Sequence, residues 1–148
     1  MRATQVAVVG SGAEHARAAE EVGRLLAVRG CVVVTGGGGE VMEAAMRGAK
    51  AAGGTTLAIL PGERHAEAST FADYVVVTGI GHARNLAVAA SGEAVIAVGG
   101  SWGTVAELAF AMRLGRAAVV VEPGVALAGV ERAATPAAAV EAALARLG

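Results

Sequence analysis

The sequence predicts an open, mostly parallel α/β sheet of about six strands with helices on both faces. Three observations carry that expectation. Short β-branched runs alternate with longer Ala-rich segments of helical period. The runs lack polar alternation, as strands covered on both faces do. Several runs lead directly into glycine-rich turns, and a repeated strand–turn–helix unit builds a parallel sheet with right-handed crossovers.

The elements follow in order. Gln5–Val9 reads as the first strand and Glu14–Arg29 as the helix after it; Cys31–Thr35 and Glu40–Ala52 form a second such pair. Thr55–Leu60 and Tyr74–Thr78 read as strands separated by the polar stretch 61–73, the longest loop before a strand and one expected to border a ligand. His82–Ala90 is a helix before the strand Ala94–Val98, and Thr104–Leu114 a helix before Ala117–Val121. Residues 122–135 read as a looser connection to a last helix, Pro136–Leu147. The punctuation agrees. Ser11-x-x-Glu14 and Thr104-x-x-Glu107 fit capping boxes, and Thr135-Pro136 fits an N-cap followed by proline at the first helical position. Gly30, Gly53 and Gly115 fall where helices should stop.

A chain of 148 residues fits one domain, 1–148, with a sizeable core. With 55% hydrophobic and 17% charged residues, intrinsic disorder is excluded. The longest stretch free of Asp, Glu, Lys and Arg, Ala94–Ala106, has 13 residues, too few to span a bilayer. No charged start, apolar core and cleavage site opens the chain, so export is not expected. The single cysteine, Cys31, cannot form an internal disulfide, which fits a cytoplasmic location. Net charge is −1 without a basic block, and there are only four aromatic residues. Neither a grip on a nucleic-acid backbone nor a stacking platform for single strands is expected. Membranes and nucleic acids therefore drop out as partners.

The 22 glycines are about twice the ordinary share, and eleven of them directly follow apolar runs. Ligands of open α/β sheets bind beyond the carboxyl ends of the strands. Gly10-Ser11-Gly12, Gly36-Gly37-Gly38-Gly39, Gly79–Gly81 and Gly99-Gly100-Ser101-Trp102-Gly103-Thr104 would all lie there. Glycine permits close backbone approach, and free N–H groups at a helix start favour an anion. The expected partner is a phosphate-bearing small molecule.

Sharper motifs fail. Gly10-Ser11-Gly12-Ala13-Glu14-His15 lacks the third glycine of the dinucleotide fingerprint, and no acid follows the second strand to hold a ribose. The only lysine, Lys50, lies outside any Walker A loop. Gly99-Gly100-Ser101-Trp102-Gly103 matches a nucleophile elbow, but His15, His65 and His82 all precede Ser101, so no hydrolase triad follows it. Ser101 is better read as a donor to an anion. Without HExxH or paired cysteines, no metal site is expected. Arg84 stands out, because a cation in the first turn of a helix opposes the macrodipole by about 0.3–1 kcal/mol. An anion held there, beside His82, would offset that cost. Glu107 fits a capping carboxylate, one that can also meet a ligand hydroxyl.

Three stretches occur in order: Gly36-Gly37-Gly38-Gly39-Glu40-Val41-Met42-Glu43-Ala44, Gly81-His82-Ala83-Arg84-Asn85 and Gly100-Ser101-Trp102-Gly103-Thr104-Val105-Ala106-Glu107. Together they resemble the Rossmann-like LOG family, long mislabelled lysine decarboxylases, and in particular a short bacterial branch similar to molybdenum-cofactor carriers. The resemblance covers residues 5–121. It implies cleavage of the N-glycosidic bond of nucleoside 5′-monophosphates, with Arg84 and Glu107 as the essential pair. It also implies phosphate binding by Gly100, Ser101, Gly103 and Thr104, and a homodimer or larger homo-oligomer. No resident cofactor is required. The alternative it implies is a non-catalytic carrier or nucleotide sensor, with the molybdenum cofactor as cargo and AMP-like or pterin molecules as ligands. The sequence departs from the family pattern at Gly81, Asn85, Ser101, Glu40 and Glu43, and at Val98-Gly99 where a proline is expected. Phosphate binding tolerates these changes more easily than hydrolysis does.

Overall fold

The computed structural model describes residues 2–148. Seven strands form one sheet: β1 (Gln5–Ser11), β2 (Val32–Thr35), β3 (Thr56–Leu60), β4 (Tyr74–Val77), β5 (Ala94–Gly99), β6 (Ala117–Gly124) and β7 (Glu131–Ala133). The helices are α1 (Ala16–Val28), α2 (Glu40–Ala51), α3 (Arg84–Ser91), α4 (Trp102–Arg113) and α5 (Pro136–Ala145). Strand order is β4-β3-β2-β1-β5-β6-β7, and every pairing is parallel. The chain winds from β1 outward to β4, then crosses back through α3 to place β5 on the other side of β1. That reversal opens a crevice between the carboxyl ends of β1 and β5.

The six expected strands are present, and β7 is added within the segment read as a looser connection. Two of its three residues are charged and exposed, and only Ala133 is buried. A short charged edge strand carries no apolar run for the sequence to show, and its charges blunt the open edge. The helix starts also differ in detail. α4 begins two residues earlier than expected, with Ser101 as N-cap and Thr104 as its reciprocal partner, so Glu107 lies a turn inside the helix rather than in the cap. Ser11 ends β1, and the short 3-10 turn Ala13–His15 receives no side-chain cap. Thr135 does cap α5, its hydroxyl accepting from the Ala138 N–H at 3.1 Å. Gly30, Gly53 and Gly115 follow helix ends with φ near +75°, as a left-handed stop requires.

Two cores flank the sheet. Val6, Val8, Val33, Ile96 and Val119 pack on one side against α1, α2 and α5, and Ala7, Val9, Val34, Val95 and Val120 on the other against α3 and α4. Alternate residues of one strand thus enter opposite cores, which explains the unbroken apolar runs. Small residues let the helices come close. A Cβ on Gly23 of α1 would overlap the Ala45 carbonyl of α2, and one on Gly48 would overlap the Glu20 carbonyl.

That contact sets an expectation with a definite sign. Alanine in place of glycine at a free helix position stabilises by about 1 kcal/mol. At Gly23 the overlap is with backbone, and overpacking costs about 1–3 kcal/mol. Gly23→Ala should therefore lower unfolding free energy in urea, whereas a gain would show that α1 and α2 can slide apart freely.

Candidate functional site

A cleft of about 200 Å³ lies at the β1–β5 crevice. Gly10 and Ser11 supply its floor from the end of β1, in register with Val98 and Gly99 of β5. The two strand ends are tied by the Gly100 N–H, which donates to the Ser11 carbonyl at 3.1 Å. Gly10 has to be glycine: its φ is +137°, and a Cβ would run into the Val98 carbonyl.

Ser101, Gly103, Thr104 and Glu107 line the cleft from the first turns of α4. The Ser101 N–H is used, donating to the Thr104 hydroxyl at 3.2 Å. The N–H groups of Trp102 and Gly103 find no partner among the described residues, and as opening donors of a helix they favour negative charge. The Thr104 hydroxyl, already an acceptor, keeps its own proton free to donate.

The 3-10 turn Gly81–Ala83 and the crossover helix α3 that follows it bring His82, Arg84 and Asn85 to the opposite wall. Arg84 Nη1 donates to the Gly36 carbonyl at 2.9 Å, and no Cβ at Gly36 would fit beside that guanidinium. Its Nε is buried without any partner. A buried donor left unpaired is costly, about 1–3 kcal/mol, which marks it as poised for something the chain does not supply. Burial holds the Arg84 pKa below its usual value, and the charge of Glu107 raises it in part.

Glu107 is only 7% exposed and forms no hydrogen bond or ion pair within 4.0 Å among the described residues. Burial pushes its carboxyl up to about 7, and Arg84 pulls it back in part. Close to neutrality the group is thus divided between its acid and its anion.

Of the residues singled out from the sequence, Gly10, Ser11, His82, Arg84, Ser101, Gly103, Thr104 and Glu107 come together in this cleft. Gly12, Gly37, Gly38, Gly39, Gly99, Gly100 and Trp102 are not among its walls, and Gly36 takes part only through its carbonyl. Gly37 is pressed against Leu60 and Ala58, and Gly99 against the ring of His15. No residue of the 61–73 loop lines the cleft. Glu40 and Glu43 are exposed and also lie outside it. Met42 and Asn85 were not singled out, yet both line it. Each sits inside a quoted motif, beside residues that were chosen.

A larger concavity, about 790 Å³, lies over α1 and α2. Among its lining residues Arg24 pairs with Glu21, and Glu20 pairs with the neighbouring Arg47. Among the described residues no group of His, Cys, Asp and Glu could hold a metal ion. No helix is long and apolar enough to cross a membrane.

The model of the SLOG cluster4 family matches residues 3–144. An uncharacterised protein of Archaeoglobus fulgidus is 40% identical, over 92% of this chain and 91% of its own length. A molybdenum cofactor binding protein from the phototrophic bacterium Rippkaea orientalis superposes with a TM-score of 0.93 at 30% identity, covering 100% of this chain and 99% of its own. The molybdenum cofactor carrier protein of Chlamydomonas reinhardtii gives 0.89 at 34% identity, covering 99% of both chains.

Glu107 should leave a mark on stability. A carboxyl whose folded pKa is raised gives its full contribution below the unfolded value and loses it as pH rises through the folded one. With an ordinary value of 4.5 and a folded value of about 7, wild-type stability should fall across that window by up to roughly 3 kcal/mol. Urea titrations at pH 5 and pH 8 should show this slope, and Glu107→Gln should flatten it. An equal slope in the variant would mean that the carboxyl is not desolvated.

Proposed function

Because the chain belongs to the SLOG cluster4 family, we propose that it binds and carries a phosphate-bearing pterin, with the molybdenum cofactor as cargo, and does not transform it. The observation that carries this reading is the cleft's pair of anion donors: the open amides of Trp102 and Gly103 on one wall and the unpartnered Nε of Arg84 on the other. A phosphate placed between them would receive main-chain hydrogen bonds, a charge-assisted bond from the guanidinium, and the hydroxyl protons of Ser101 and Thr104. The two solved relatives named above, a cofactor binding protein and a cofactor carrier, support the pterin as the rest of the ligand. The expected setting is the cytoplasm, and the expected assembly a homodimer or larger homo-oligomer.

Glu107 is the residue on which carriage and hydrolysis would differ. Cleaving an N-glycosidic bond builds positive charge on the ribose, which an ionised carboxylate stabilises and a protonated one does not. A pKa of about 7 leaves a large share of the protein in the protonated form. The same value supports a second reading, a LOG-like nucleoside 5′-monophosphate phosphoribohydrolase, because a general acid–base works best near its own pKa. Arg84 and Glu107 would then be its catalytic pair.

The two readings separate in one set of measurements. Protein purified without oxygen should carry or accept the molybdenum cofactor, detected as the fluorescence of its oxidised pterin. Arg84→Ala should lower occupancy at least tenfold, with Glu107→Gln close to wild type. Adenine should not be released from AMP. Steady base release by wild type, abolished in Glu107→Gln, would replace the carrier with the hydrolase.

A further inference from the structure

The helices on the two sides of the sheet present different outer surfaces. α1 and α2 carry eight charged residues between them, and none is buried. α3 and α4 carry three: Arg84, Glu107 and Arg113. The first two line the cleft, so the outer side of this layer keeps only Arg113, at the last residue of α4. Burial within one chain does not account for the apolar content of α4. Leu108 and Ala111 pack into the core beneath it, and Thr104 and Glu107 line the cleft. Away from these, Trp102, Val105, Ala109 and Met112 follow one another at intervals of three, four and three residues. That spacing is the seam of a helix that packs on another helix. Here the seam is open: Trp102 is 86% exposed and Met112 40%, with Ala109 exposed and Val105 partly so. A helix that is apolar all round is one covered all round.

Neighbouring elements continue the patch. Leu86 lies exposed on α3, which packs alongside α4. Beyond α3 the same face of the sheet stays open at its edge. There Tyr74 and Val76 of β4 lie beside Leu57 and Ile59 of β3, which belong to the α3–α4 side, and both are exposed. An all-parallel sheet is ordinarily covered on both faces. Of the nine large apolar side chains exposed among the described residues, seven lie between Tyr74 and Leu114, on β4, α3, α4 and the adjoining turns. Together they expose on the order of 700 Å², taking roughly 150–250 Å² for a fully open aromatic and about half that for an aliphatic side chain. A monomer leaves open patches of about 300–600 Å². A standard interface takes about 800 Å² from each partner.

We infer that a second copy of the chain covers this face, with α3 and α4 of each copy packed on those of the other about a twofold axis. The absence of charge selects the occupant. A charged partner surface would lose its water here and find no counter-charge. What fits is another uncharged apolar surface of similar size, and the chain itself presents one. A twofold axis lays that patch on its own copy, so a single patch is buried twice. Ala109, in the middle of the seam, is small enough for the two backbones to come close. The inference goes beyond the self-association expected above by assigning its surface, and it does not rest on what the cleft binds.

Light scattering on the eluting protein gives the mass of wild type, Leu86→Glu, Ala109→Glu and Val28→Glu at micromolar concentration. Val28 is the control, since it is exposed at the end of α1 in the charged layer. Wild type and Val28→Glu should run at twice the chain mass or more. Leu86→Glu and Ala109→Glu should each lose at least half of that mass while keeping the circular dichroism of wild type. The melting temperature of wild type should rise with protein concentration, and that of Ala109→Glu should not. The sole tryptophan, Trp102, lies in the proposed seam. Its emission should therefore be red-shifted in Ala109→Glu relative to wild type, because the variant leaves the indole in water. A wild type of one chain mass would overturn the inference. So would a mass unchanged in both Leu86→Glu and Ala109→Glu, a mass lost in Val28→Glu alone, or indole emission identical in wild type and Ala109→Glu. None of these results bears on the anion site, which ligand binding tests separately.

Discussion

The site depends on one guanidinium held in a place where it is only half satisfied. Arg84 spends Nη1 on the Gly36 carbonyl and keeps Nε buried without a partner. The arrangement works against folding twice over, since a cation at a helix start opposes the dipole and a buried donor goes unpaired. It persists because the surroundings fix it. Glycine at position 36 makes room for the guanidinium, and α3 lies on the crossover from the sheet edge at β4 to the centre at β5. The crossover that reverses the winding of the sheet also delivers the cation to the crevice it creates.

Opposite that cation the cleft carries both the opening amides of α4 and the carboxyl of Glu107. Glu107 lies close enough for its charge and that of Arg84 to influence each other, yet the two are not paired. A direct ion pair would have satisfied the guanidinium and closed the site. Instead both groups sit partly or wholly desolvated around a small polar cavity. The same desolvation keeps Glu107 near its midpoint at neutral pH, so that a carboxyl suited to acid–base work is also a poor stabiliser of positive charge.

Much of this was legible in the residues. The strands β1 to β6 and all five helices follow from apolar runs, helical periodicity and glycine stops, because burial on both faces of a parallel sheet leaves an unbroken apolar signature. β7 was not legible: Glu131 and Arg132 at an open edge have no buried face to announce them. Thr104-x-x-Glu107 is a fair cap by spacing, yet the chain enters α4 at Trp102, with Ser101 taking the cap, and that change of two residues moves Glu107 from the helix mouth into the cleft.

The order of residues along the chain determined the repeating strand–turn–helix unit, the edge at which the glycine turns gather, and the identity of Arg84 and Glu107 as residues that a purely structural account leaves unexplained. These are local properties: periodicity, backbone freedom and charge at a helix end are set by near neighbours. Tertiary structure alone decided which turns share a cavity. The turns after β1 and β5 meet because those strands pair in register, and Gly37 after β2 packs instead against Leu60 and Ala58 of β3. It also decided that Met42 and Asn85 line the cleft while Trp102 stays outside. Strand order and helix entry angles depend on packing between segments distant in sequence, and no local pattern encodes them.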